Sequence, residues 1–448
     1  MMKVAIIGAA ESGIGAALLA KKKGDEVFVS DYGEIPKKYK DELIENNIPF
    51  EEKGHHIERL IDAGLVIKSP GVPETAPILS RIKEEGTDII SEIEFGFKYY
   101  SGKVIAITGS NGKTTTSGLI YHLLKTANFD VEIGGNYGIS FARLLCKREP
   151  EWVVLELSSF QLDNIRDFRP DIGVLLNITP DHLDRYEYNM MLYAAAKYRI
   201  TENQSDKDHF IYNADDPIIN TLLKEDNTAA IQHPIEKENY IAGIFSKEKS
   251  EKFEITIKGP HNLFNARCAV EAARIAGMSE EQIKLGLASF ENAPHRMEVV
   301  ANIDGVTFIN DSKATNVDSV QYALEALESP IIWIAGGTDK GNDYTPLIDL
   351  ARKKVKVLIC LGIDNRKLVK AFAEHISIII ETTKVSNSVD NALDLANAGD
   401  AVILSPSCAS FDLFENYIDR GDQFKRAVLN RAEGNKKKTV KIKDIESL

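Results

Sequence analysis

Short, nearly continuous apolar runs alternate with helical patterns along most of this 448-residue chain. Val4–Ile7, Val27–Val29, Val104–Thr108, Val153–Leu157, Ile172–Leu176, Ile331–Ala335, Val355–Cys360 and Ala401–Leu404 are apolar at almost every position. A strand that is apolar on both faces must be covered on both. Crossover helices do this, and they make the sheet parallel. The alternation therefore predicts α/β domains. At ~100–200 residues per domain the length suggests two to four. Three segments each restart with a strand and a glycine turn, at Met1, at Val104 and after Pro294-His295-Arg296. The expected domains are residues 1–100, 101–294 and 295–448.

Composition narrows the partners. With 67 acidic and 54 basic residues the net charge is −13, which argues against nucleic acid or an anionic membrane as the main partner. Hydrophobic residues at 44% and charged residues at 27% exclude a wholly disordered or fibrous chain. No apolar run approaches the ~20 residues of a membrane-spanning helix, and the first residues lack a signal-peptide core. Cys146, Cys268, Cys360 and Cys408 form no CxxC pair and no zinc spacing, so the expectation is free thiols in a reducing cytoplasm.

Two glycine turns open helices. Gly8-Ala9-Ala10-Glu11-Ser12-Gly13 follows the first strand and resembles a dinucleotide fingerprint, except that Ala10 replaces the middle glycine. Asp31, at the end of the second strand, stands where an acidic residue can bind a ribose. The second turn is Thr108-Gly109-Ser110-Asn111-Gly112-Lys113-Thr114-Thr115. Its backbone N–H groups can cradle phosphates, Lys113 can reach the terminal phosphate, and the Thr114 hydroxyl can hold Mg²⁺. Ile107 stands where the usual first glycine of such a loop would be.

Several other polar groups gain interest only from the company they keep. Glu156 ends an apolar strand, where a carboxylate is costly unless it pairs or binds a metal. His182, in Asp181-His182-Leu183-Asp184, is by itself an ordinary structural histidine, and Lys197 by itself a solvent-facing lysine. His261-Asn262-Leu263-Phe264-Asn265 begins a helix with amides suited to a purine edge. The loops 310–316, 336–341 and 405–412 follow strands, at the strand ends where open α/β sheets bind ligands.

Taken together and in order, TGSNGKTT from Thr108, ELSSFQL from Glu156, NITPDHLDRY from Asn177, NDSKATN from Asn310 and SPSCASFD from Ser405 resemble the Mur ligases of peptidoglycan synthesis. The likeness spans nearly the whole chain. The last two motifs with ELSSFQL select the branch that adds D-glutamate to UDP-N-acetylmuramoyl-L-alanine. The resemblance implies three α/β domains: an N-terminal Rossmann-like nucleotide-sugar domain, a central P-loop ATPase domain and a C-terminal Rossmann-like domain. It implies an ATP-dependent, cytoplasmic, monomeric ligase that works through an acyl phosphate with two Mg²⁺ ions.

Position by position, it assigns Gly109, Ser110, Asn111, Gly112, Lys113, Thr114, Thr115, Asn262, Asn265, Arg296 and Asp311 to ATP. Thr114 and Glu156 would hold one Mg²⁺, and His182 with a carbamylated Lys197 the other. Lys113, Lys197, His182 and Lys313 would be catalytic. Ser12, Asp31, Ser69, Gly71 and Asn136 would face the UDP-sugar, and Thr315, Lys340, Ser410 and Tyr417 D-glutamate. Tyr32 and Gly33 fall where the family varies, and Tyr417 where phenylalanine is common. An oxidoreductase built on the first domain would leave the P-loop, Glu156 and Lys197 unexplained.

Overall fold

The computed structural model describes residues 1–226, 228–236 and 260–445. The first sheet holds β1 (Lys3–Ile7), β2 (Glu26–Ser30), β3 (Phe50–Glu51), β4 (Leu65–Lys68) and β5 (Ile89–Ser91), in the order β3-β2-β1-β4-β5. The second holds β6 (Lys103–Thr108), β7 (Val131–Gly135), β8 (Trp152–Glu156), β9 (Ile172–Leu175), β10 (His209–Asn213) and β11 (Ile231–Ile235), in the order β11-β10-β9-β6-β8-β7. All pairings in both are parallel.

The third sheet holds β12 (Glu298–Ile303), β13 (Val306–Asn310), β14 (Ile331–Ala335), β15 (Val355–Leu361), β16 (Ile378–Thr382) and β17 (Ala401–Leu404), in the order β12-β13-β17-β14-β15-β16. It is parallel apart from the β12–β13 hairpin. The chain is thus a three-domain α/β protein in which the apolar runs became strands buried at almost every position.

In each sheet the strand order reverses at one place, and a crevice opens there at the carboxyl ends. In the first sheet it lies between β1 and β4, and in the second β6 stands between β8 and β9. The turns after β1, β4 and β6 therefore fall at ligand-binding positions by topology alone.

The first two sheets belong to one compact unit and the third to another. Within the first unit, helix Glu11–Lys22 packs on helix Phe141–Lys147. Gly15 allows this approach, because a Cβ there would lie 2.1 Å from Ser140 Oγ. Arg143 bridges Glu11 at 2.7 Å and Glu42 at 2.6 Å across the same contact. Glu94 accepts the backbone N–H groups of Arg166, Asp167 and Phe168, which fastens the first sheet's last helix to the second domain. A carboxylate holding three amides acts as a template for that turn, because each amide would otherwise be desolvated without a partner.

Candidate active site

The phosphate loop is built on β6. After Thr108 the chain turns through Gly109 and Gly112, both at positive φ, into helix Lys113–Thr126. Gly112 has φ 85°, and a Cβ on it would lie 2.5 Å from Asn265 Oδ1. The helix Pro260–Ile275 therefore sets Asn265 directly against the loop, and Asn265 Nδ2 donates to Asn262 Oδ1 at 3.4 Å. Both amides assigned to the nucleotide thus stand together beside the loop.

The segment after β9 braces the same loop. Asn177 Oδ1 accepts the N–H of Asn111 at 2.9 Å, and Asn177 Nδ2 donates to the Asn111 carbonyl at 3.0 Å. Ser110 N–H donates to the Asn177 carbonyl at 2.9 Å, and Ser110 Oγ meets the backbone of Thr179 on both sides. Asn177 and Thr179 belong to the NITPDHLDRY motif, whose family resemblance does not assign them this bracing role. Their signal is an Asn-x-Thr that directly follows a buried strand paired with β6.

Lys113 and Lys197 converge on one acceptor. Lys113 Nζ donates to the carbonyls of Gly109 at 2.5 Å and Ser110 at 2.7 Å, and Lys197 Nζ donates to the same Gly109 carbonyl at 3.0 Å. Lys197 is only 1% exposed, not the solvent-facing side chain that its helix Met190–Tyr198 suggests in isolation. Its ammonium stands over the Tyr193 ring at 4.5 Å. Burial first, and the neighbouring Lys113 charge second, hold its pKa well below the ordinary lysine range. A buried amine of lowered basicity is a reactive one.

Glu156, 2% exposed, ends β8 in register with Ile107 of β6. Asn136 Nδ2 donates to its Oε1 at 2.8 Å, and the Asn136 backbone N–H donates to the Glu156 carbonyl at 2.7 Å. Asn136, which the resemblance assigns to the sugar, thus stands at the Glu156 carboxylate. It is not among the residues lining the first sheet's cleft. His182 has φ 51°, packs edge-on to Phe160 with ring centroids 5.4 Å apart, and lies 3.6 Å from Asp181.

Among the described residues no group of three or more His, Cys, Asp or Glu could hold a metal. The oxygen donors that could hold one are the buried Thr114 hydroxyl, at the start of the helix after the loop, and the Glu156 carboxylate, at the end of the adjacent strand. One carboxylate, one hydroxyl and substrate phosphates suit Mg²⁺, which keeps most of its shell for water and phosphate.

Ser12, Asp31, Ser69 and Gly71 line one cleft of about 850 Å³ at the β1/β4 crevice. Asp31 is fixed there, with Oδ2 accepting Ala9 N–H at 2.6 Å and Oδ1 accepting Gly33 N–H at 2.8 Å. Ser69 Oγ donates to the Gly8 carbonyl at 2.8 Å, which joins the turn after β4 to the turn after β1. Burial lowers the pKa of His55, another lining residue.

In the second unit the loops after β13, β14 and β17 meet around a buried arginine that the sequence did not reveal. Arg420, 1% exposed, donates to Ser312 Oγ at 3.0 Å, to the Ser312 carbonyl at 2.9 Å and to the carbonyls of Cys408 at 3.1 Å and Gly336 at 3.4 Å. Desolvation pulls its pKa down to about 10. Nothing in the surrounding sequence, Tyr417-Ile418-Asp419-Arg420-Gly421, marks it, because its partners come from three distant loops.

Around this anchor the Ser312 hydroxyl donates to the Tyr417 carbonyl at 2.8 Å, and the Lys313 ammonium lies 5.5 Å from the Tyr417 ring centroid. Thr315 N–H donates to the Lys313 carbonyl, and the Thr338–Ala409 bridge sets the Lys340 turn beside buried Ser410. Asp311 accepts from Ser405 Oγ at 2.9 Å and Met297 N–H at 3.2 Å, and burial pushes its pKa up to about 7 against the opposing Arg296 charge. Arg296 Nε is buried and makes no hydrogen bond among the described residues.

Three family models match the chain: the MurD N-terminal domain over residues 3–77, the Mur ligase middle domain over 107–273, and the Mur ligase, glutamate ligase domain over 295–408. The UDP-N-acetylmuramoylalanine–D-glutamate ligase of Christiangramia forsetii is 47% identical, covering 96% of this chain and 99% of that protein. The Porphyromonas gingivalis protein of the same name is 48% identical, with 95% and 98% covered. Among solved structures, the UDP-N-acetylmuramate–alanine ligase MurC of Thermotoga maritima shares the fold at 18% identity and a TM-score of 0.59, with 97% of this chain and 100% of that one covered. No helix of the described residues is long and apolar enough to cross a membrane. At such identity over nearly its full length, the chain belongs to the Mur ligase family, in the UDP-N-acetylmuramoylalanine–D-glutamate ligase branch.

Proposed function

We propose that the chain joins D-glutamate to UDP-N-acetylmuramoyl-L-alanine, with ATP converted to ADP and phosphate, in cytoplasmic assembly of peptidoglycan precursors. The observation that carries this reading is the convergence of two lysine side chains, the half-buried Lys113 and the buried Lys197, on the Gly109 carbonyl beside Glu156's strand. That arrangement suits a phosphate loop, and the first sheet separately offers a cleft of a size that suits a nucleotide sugar.

A carboxylate is a poor electrophile. Its oxygen first attacks the γ-phosphorus and expels ADP. The amine of D-glutamate then attacks the acyl carbon, and phosphate leaves with the original carboxylate oxygen. Positioning and charge neutralisation supply most of such catalysis.

Lys113 holds the β- and γ-phosphates, and the amides of the 109–115 loop cradle them. Asn262 and Asn265 take the adenine side, with Arg296 and Asp311 also assigned to the nucleotide. Ser12, Asp31, Ser69 and Gly71 face the UDP-sugar. Thr315, Lys340, Ser410 and Tyr417 hold D-glutamate, and Lys313 steadies the transferring phosphate. Thr114 with Glu156, and His182 with Lys197, would hold two Mg²⁺ ions, which neutralise phosphate charge when bound. Lys197 takes part as a carbamate. Its lowered basicity makes it a nucleophile for CO₂, and the product replaces a repulsion with Lys113 by an attraction. The partners are small molecules, and the chain acts as a monomer.

The test follows the oxygen. Substrate labelled with ¹⁸O in the alanyl carboxylate should yield phosphate carrying one ¹⁸O. Unlabelled phosphate beside ligated product would rule the acyl phosphate out.

A further inference from the structure

The cleft of the first sheet holds a cation that no step above uses. Arg81 is the sole lysine or arginine among the residues lining it. It stands on helix Pro77–Glu84, whose buried face carries Leu79 and Ile82. Pro77, Ile78 and Arg81 share the other face and all line the cleft. Neighbouring cations are already engaged. Lys68 Nζ binds Glu74 at 2.8 Å and the Val72 carbonyl at 3.1 Å, Lys83 lies 3.4 Å from Glu74, and Arg143 holds Glu11. The Arg81 side chain makes no hydrogen bond or ion pair among the described residues, although Glu84 and Glu85 stand one turn away on its own chain.

The charges in the cleft make this notable. Asp31 and Glu11 both line it, and only Glu11 is matched by a cation, since Asp31 is held by backbone amides. The protein as a whole carries a net charge of −13. A nucleotide diphosphate diester brings two further negative charges into that field. We propose that Arg81 is the binding residue that meets the diphosphate of the nucleotide sugar and separates nucleotide diphosphates from uncharged nucleosides. This rests on the cleft being the nucleotide-sugar site. A guanidinium suits the task because its fork can bind two phosphate oxygens at once, which an ammonium cannot do.

Calorimetric titration of the full chain with UDP and with uridine tests it. The unaltered protein should prefer UDP. Arg81→Gln should weaken UDP about tenfold, the scale of one partly exposed charge-assisted contact, and leave uridine within about twofold. Arg81→Lys should recover part of the loss, and the salt dependence of UDP binding should become shallower in Arg81→Gln. In turnover, KM for UDP-N-acetylmuramoyl-L-alanine should rise by the same factor while kcat holds. Equal weakening of UDP and uridine would mean that Arg81 only shapes the wall, and would overturn the proposal. If the unaltered chain prefers UDP and Arg81→Gln keeps the full preference, the role of Arg81 falls alone. Should the unaltered chain bind UDP no better than uridine, the reading of the cleft falls with it.

Discussion

Replacing Asn177 by alanine removes the two-point clamp on Asn111, whose bonds measure 2.9 and 3.0 Å. A net hydrogen bond contributes about 1 kcal/mol, and stripping a part-buried amide of its acceptor costs somewhat more, so the loop conformation should lose about 2 kcal/mol. The loop stays attached, because Ser110 keeps its bonds to the Asn177 carbonyl and to Thr179. The loss therefore appears as a smaller fraction of loops ready for phosphate. Apparent ATP affinity falls with that fraction, by up to about 30-fold for 2 kcal/mol. Saturating ATP draws the loop back, so kcat should change little. The assay is steady-state phosphate release against ATP concentration, with thermal unfolding measured in parallel. Asn177→Asp keeps the acceptor but adds charge near phosphate, and should raise KM further. An Asn177→Ala enzyme with KM for ATP within twofold of the unaltered one would refute the bracing argument.

Three further outcomes follow from the same geometry. Lys197→Ala should lose most activity and regain part of it with acetate but not with an amine, Lys197→Arg should stay inactive, and ¹³C-bicarbonate should give a carbamate signal absent from Lys197→Ala; rescue by amines would favour an ammonium role. Burial raises the Glu92 pKa to about 8, with its Oε1 accepting the Ala142 N–H, so the fold holds a proton that the unfolded chain releases above about pH 4.5. The stability it contributes is full below that pH and lost as pH rises through about 8, so the Tm advantage of Glu92→Gln over the unaltered chain should grow from pH 5 to pH 8. Arg420→Lys keeps a charge but loses the fork that joins Ser312, Gly336 and Cys408, and should raise KM for D-glutamate at least about tenfold while ATP affinity is unchanged.

Strands buried on both faces were legible because their apolar runs have no other explanation: Ile331–Ala335 and Ala401–Leu404 span the same residues in the sequence and in the sheet. Edge strands were not. β11 contains Gln232, His233 and Pro234, and only an edge position tolerates a proline in a strand. The glycine loop and Glu156 announced themselves through spacing and through a charge in an apolar strand. Lys197 did not, because its burial depends on Tyr193 and on a loop 88 residues earlier. Arg420 and Asn177 escaped for a related reason: their hydrogen bonds go mostly to backbone, and backbone partners leave no mark in the sequence.

The most direct measurement is phosphate release with UDP-N-acetylmuramoyl-L-alanine, ATP and Mg²⁺, run with each of several amino acids. The account predicts turnover that requires all components and D-glutamate, with L-glutamate, meso-diaminopimelate and L-lysine poor. Equal turnover with L-glutamate or with a dibasic amino acid would contradict it.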